Sequence, residues 1–176
     1  MGCSAREGGR AGTIDRIGQR LPRERSRLEP NDDPLTASGV EIVPSAEPDL
    51  RELLALAKSA FSAAPGWSEE RVLETLMRDV VFVAREQRLP AGYVALRPED
   101  RTTIVVEQVL VAAGHERRGI GHRLLEHAEG YAITHHAHRL RIVVESDNRP
   151  ARSFYRRSGF VPVEEELFEL ALPRAG

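Results

Sequence analysis

The amino-acid sequence predicts an α/β (α+β) fold, a mixed sheet with helices on its faces. Three observations lead there. Short β-branched runs alternate with stretches of helical apolar spacing from Val40 onward. The longest β-branched run, residues 102–111, has the composition of a central strand. Two adjacent runs, Val80–Ala84 and Tyr93–Leu96, lie close enough to form a hairpin.

The elements follow in order. Val40-Glu41-Ile42-Val43 reads as a strand ended by Pro44. Leu50, Leu53, Leu54, Ala57 and Phe61 keep helical spacing up to Pro65-Gly66. Ser68 opens a second helix with Val72, Leu76 and Met77 on its inner face. Leu89-Pro90-Ala91-Gly92 is the expected turn of the hairpin. After the central strand a glycine loop leads into a helix over 119–134, with Ile120, Leu124, Ala128 and Tyr131 along one side. Leu140–Val144 reads as a buried strand, 150–157 as a short helix and 160–172 as a final strand.

Residues 1–39 read differently. Seven arginines and six acids surround few apolar residues, so this stretch is expected to be a disordered extension. The domain is expected over residues 40–172. The segment has no apolar h-region, and Arg6 breaks the pattern that would favour myristoylation. The charge balance excludes other classes. A net charge of −2 argues against a dedicated nucleic-acid binder, and 18 basic residues face 21 acidic ones from Val40 on. No apolar run approaches the ~18–20 residues of a membrane span, so no membrane partner is expected. The single Cys3 excludes an internal disulfide framework and makes a cytoplasmic location the default. His135, His136 and His138 lack a supporting ligand cluster, so no metal is expected.

Two stretches carry chemistry. Glu116-Arg117-Arg118-Gly119-Ile120-Gly121-His122 lies between strand and helix. Unpaired N–H groups at a helix start bind phosphate oxygens, and Arg117, Arg118 and Arg123 add positive charge. By itself Gly-Ile-Gly also suits a plain tight turn. It matches neither the dinucleotide fingerprint nor the P-loop. The second stretch runs from Asn148 through Ala151 and Phe154-Tyr155 to Gly159-Phe160.

Together these stretches, with Val109-Leu110-Val111 before them, resemble the GNAT superfamily of N-acetyltransferases. The resemblance covers residues 40–172 in element order and 105–160 in motif detail. It implies a mostly antiparallel sheet with a V-shaped splay between the fourth and fifth strands, and a bulge in the strand at 105–111. It implies transfer of an acetyl group from acetyl-CoA to an amine of a small molecule or peptide. The pantetheine arm would then lie along Val109, Leu110 and Val111, and the pyrophosphate on the amides of Arg117, Arg118, Gly119, Ile120, Gly121 and His122. Asn148 would hold the cofactor or brace the splay.

Under the same resemblance Tyr155 is the expected proton donor to the leaving thiolate, a phenol being fully protonated at neutral pH. The other reading of Tyr155 is a core aromatic beside Phe154. Glu107, a carboxylate in the apolar run Ile104–Val109, is the expected base. A solvent-facing or substrate-binding role stands beside it. Glu116 departs from the family pattern, which has Gln or Arg there, and places a negative charge near the pyrophosphate. Phe61 and Trp67 are candidates for substrate choice. A non-catalytic acyl-CoA-binding regulatory module is the alternative function, and a monomer or homodimer is expected.

Overall fold

In the computed structural model the described residues are 39–61 and 68–173. The alternation read from the sequence becomes β1 (Val40–Pro44), α1 (Leu50–Phe61), α2 (Glu69–Arg78), β2 (Val80–Glu86), β3 (Leu89–Pro98), β4 (Thr103–Val111), α3 (Ile120–Thr134), β5 (Arg139–Val143), α4 (Arg149–Arg157), β6 (Val161–Pro162) and β7 (Leu167–Ala171). A single 3-10 turn at Glu47–Asp49 precedes α1. The strands form one sheet in the order β1-β2-β3-β4-β5-β7-β6, antiparallel throughout except for β4 with β5.

Alternation along β3 explains the layers. Tyr93 and Ala95 face α1 and α2, where Leu53, Ala57, Val72 and Leu76 cover them. Val94 and Leu96 face the opposite way, toward Leu124, Leu125 and Ala128 of α3. Both faces being covered, residues 91–96 are buried without interruption, as a central strand requires. The buried Asp49 is satisfied by the Ala46 N–H at 2.8 Å and by Arg85. No helix among the described residues is long and apolar enough to cross a membrane.

Three expectations are corrected. The β2–β3 turn is Gln87-Arg88, not Leu89–Gly92. Both residues are left-handed (φ 49° and 71°), as a two-residue hairpin turn of the favoured hand demands. Neither is the Gly, Asn or Asp that marks such turns, while Pro90 and Gly92 imitate a turn from inside the strand. Met77 is 69 % exposed, since one residue of helix rotates it away from the face carrying Leu76. The final strand is two strands. Glu164-Glu165-Glu166 cannot alternate into a buried face, and the chain reverses there, with the Val163 N–H donating to the Leu167 carbonyl.

Candidate active site

The site begins with a register change in β4. Ala95 pairs with Gln108 and the next β3 residue, Leu96, with Val106, so Glu107 is the extra residue of a bulge. On its other side β4 pairs with β5 only at Thr103–Val105. Beyond Val105 and Arg141 the two strands separate. In a strand the backbone groups point alternately to its two neighbours, so those of residues 106–111 that point away from β3 face this gap.

A cavity of about 700 Å³ occupies the opening. Val109 and Val111 form one side of it, residues 115–117 and the start of α3 another, and Pro150, Ala151, Phe154 and Tyr155 of α4 a third. Gly119 caps α3 with φ 80°, a left-handed conformation that glycine adopts without steric cost. The first N–H groups of α3 have no partner within the helix and flank the cavity. Helix α3 comes close to its neighbours here. A Cβ on Gly121 would stand 3.2 Å from the Phe154 ring and 3.5 Å from Val111.

The arginines divide. Arg117 lines the cavity. Arg118 makes a two-pronged ion pair with Glu86 of β2, and Arg123 donates to the Val40 carbonyl at 2.9 Å. Glu116 also lines the cavity, and neither it nor Arg117 has an ion-pair partner among the described residues. His122 and Ser158 meet across the cavity, Nδ1 to Oγ at 3.2 Å, joining the first turn of α3 to the end of α4.

Tyr155 is 6 % exposed and lies against the edges of Phe154 and Phe160, ring centroids 5.1 and 5.7 Å away. Burial pushes its phenol well above the ordinary tyrosine range. Glu107 does not line the cavity. Its carboxylate accepts from Arg97 Nε, and the next residue, Gln108, accepts from the Tyr93 hydroxyl at 2.7 Å.

Of the residues singled out from the sequence, the fold gathers Val109, Val111, Arg117, Gly119, Ile120, Gly121, His122 and Tyr155 around one cavity. Leu110 directs its side chain into the opposite layer, under α1 and α2. Asn148 caps α4, its Oδ1 accepting from the Ala151 N–H at 3.2 Å, and does not line the cavity. Phe61 ends α1, but its side chain and the whole of Trp67 lie outside the described residues. Sequence reasoning assigned no role to His115, just before the first motif, or to Ser158, inside the second, and both line the cavity. It also missed Glu86 and Arg97, whose roles arise only from strand pairing. Among the described residues no group of three His, Cys, Asp or Glu stands ready for a metal.

A family model described as the acetyltransferase (GNAT) family matches residues 48–160. The chain belongs to this family. A streptothricin acetyltransferase of Streptomyces lavendulae is 40 % identical over 57 residues, 32 % of this chain and 30 % of that relative, so the match spans under a third of its length. Solved GNAT structures share the fold. The PaiA N-acetyltransferase of Thermoplasma acidophilum, in complex with coenzyme A, is 19 % identical with a TM-score of 0.63, covering 75 % of this chain and 98 % of its own. The ribosomal-protein-S18-alanine N-acetyltransferase of Escherichia coli is 20 % identical with a TM-score of 0.66, covering 78 % and 96 %. A GNAT acetyltransferase of Elizabethkingia anophelis with acetyl-CoA bound is 20 % identical with a TM-score of 0.61, covering 76 % and 99 %. The GNAT match includes β4, the α3 cap and α4, and so contains the whole cavity.

Proposed function

We propose that this GNAT protein moves an acetyl group from acetyl-CoA to a primary amine of a small molecule or peptide, by direct attack through a tetrahedral intermediate. The observation that carries the reading is the broken β4–β5 ladder, which opens unpaired strand backbone beside both a helix N-terminus and a buried tyrosine. These residues suit acetyl-CoA. The exposed edge of β4 offers an amide-bearing arm hydrogen bonds like an added strand. The α3 N-terminus and Arg117 suit its pyrophosphate.

When bound, acetyl-CoA supplies an activated thioester carbon. The acceptor nitrogen bonds to that carbon and the C–S bond breaks, leaving a thiolate. A β4 backbone N–H facing the gap near Val109 stabilises the oxyanion. Tyr155, kept protonated by burial, gives its proton to the thiolate. Glu107 takes the acceptor's proton through water, since its carboxylate stands outside the cavity. The domain proposed to do this is residues 40–172, with residues 1–39 outside the catalytic work.

A second reading, a non-catalytic acyl-CoA-binding module, draws on Glu116 at the phosphate end of the cavity and on the engagement of Glu107 by Arg97. A panel of amines with acetyl-CoA, assayed for free thiol, separates the two. Thiol release that depends on an amine is the expected result. Binding of CoA without turnover on any amine supports the module. Absence of thermal stabilisation by CoA or acetyl-CoA removes both readings.

A further inference from the structure

The loop between β4 and α3 is held from outside by one carboxylate. Glu86, the last residue of β2, receives both terminal nitrogens of Arg118 on its two oxygens, NH1 to Oε2 at 3.0 Å and NH2 to Oε1. His115 Nε2 lies 3.1 Å from Oε2 of the same group. Glu86 is itself fixed on both sides, paired with Val40 of β1 and with Leu89 across the two-residue turn. The carboxylate is only 21 % exposed, and the Arg118 guanidinium holds its carboxyl below the usual range. Between the two clamped residues lies Arg117, a non-glycine residue at φ 57°. That conformation is strained for a residue with a Cβ and persists where the surroundings impose it. The reversal at Arg117 puts neighbouring arginines to different uses, Arg117 against the cavity and Arg118 on Glu86.

We propose that Glu86 is a positioning residue for the phosphate loop, and that Arg118 serves this clamp rather than the phosphates themselves. The inference rests on the reading that residues 115–122 hold the phosphates of CoA. An ion pair whose arginine is open to solvent, as Arg118 is, contributes little to stability, so the effect lies in where the loop amides and Arg117 point rather than in the melting temperature.

The two roles of Arg118 predict opposite signs. If Arg118 belongs to the clamp, Glu86→Ala and Arg118→Ala each weaken CoA binding, by about tenfold on the scale of one charged hydrogen-bonded contact. The double variant loses no more than either alone, and kcat at saturating acetyl-CoA stays near wild type while its KM rises. If Arg118 is a phosphate ligand, Glu86→Ala frees it, and CoA binds as tightly as before or more so. Calorimetry with CoA on the full chain reads the affinities. Hydrogen exchange in ligand-free protein reads the loop, where Glu86→Ala is expected to speed exchange at Arg118–Ile120. Tighter or unchanged CoA binding by Glu86→Ala, additive losses in the double variant, or unchanged loop exchange each overturns the clamp. Failure of the wild type to bind CoA, with the exchange effect present, instead overturns the phosphate reading of the loop.

Discussion

Arg97 and Glu107 join β3 to β4 at the bulge, Arg97 Nε donating to Glu107 Oε1 at 2.5 Å beside the residue at which the ladder slips. The pair is partly exposed, 36 % for the guanidinium and 26 % for the carboxylate. A bulge redirects its extra side chain, and here it sets a carboxylate two residues before Val109, which lines the cavity.

If Glu107 accepts the acceptor's proton, Glu107→Gln removes the base while keeping the shape and one hydrogen-bond acceptor for Arg97. The expected result is a fall in kcat of about 10²-fold, within the usual range for general base catalysis. The KM for acetyl-CoA should move little, because the carboxylate stands outside the cavity. Steady-state kinetics with a responsive amine measure this. Normal turnover would leave the ion pair a structural tie between strands.

Tyr155→Phe keeps the ring contacts with Phe154 and Phe160 and deletes only the hydroxyl. Turnover is expected to fall by about 10²-fold with CoA affinity nearly unchanged. Burial raises the phenol's pKa, so Tyr155 stays protonated through and beyond neutral pH. A decline of rate on the basic side between about pH 8 and 9 therefore belongs to another group, and residual activity of the variant should retain it. Full activity in the variant, measured by thiol release, would reject the proton-donor role.

Much of this site is legible in the sequence. Gly119-Ile120-Gly121 begins α3, which packs on β4, and Phe154-Tyr155 lie within α4 on the other side of the same cavity; helix starts leave local marks in sequence. What stayed hidden depends on pairing between distant segments. Nothing near Arg118 in the sequence announces Glu86, which β2 brings beside it from 32 residues earlier in the chain. Asn148 reads from the sequence as a cofactor ligand or a brace for the splay, and only the helix geometry shows its Oδ1 accepting from the Ala151 N–H. The turn at Gln87-Arg88 was illegible for a different reason, since its backbone shape is imposed by strand pairing and not by turn-forming residues.

Gly92 in β3 tests how closely β3, β4 and α3 must approach. A Cβ at this position would lie 2.5 Å from the Leu110 carbonyl oxygen and 3.4 Å from Leu124 of α3. Backbone cannot swing aside as a flexible side chain can, so Gly92→Ala must part β3 from β4 next to Val111. A loss of about 1–3 kcal/mol is expected, the usual range for overpacking. Urea unfolding measures it, and CoA affinity should fall as Val111 shifts. A midpoint equal to wild type would mean the strands part there without strain.

His127 on α3 sets a pH dependence of stability apart from the chemistry. Its ring meets the edge of Phe82 at 4.4 Å, and burial lowers its pKa below 6.5. The fold therefore prefers the neutral ring, while the unfolded chain takes up a proton near the ordinary value. Stability from this group is fully present above about pH 6.5 and is lost as pH falls through the depressed folded value. Most carboxylates titrate lower, near pH 4, so the interval from pH 7 to 5 isolates histidine effects. Wild type is expected to lose urea stability over that interval, and His127→Phe, which packs without a titrating group, to lose less. Parallel curves for the two proteins would show that protonation of His127 does not oppose folding.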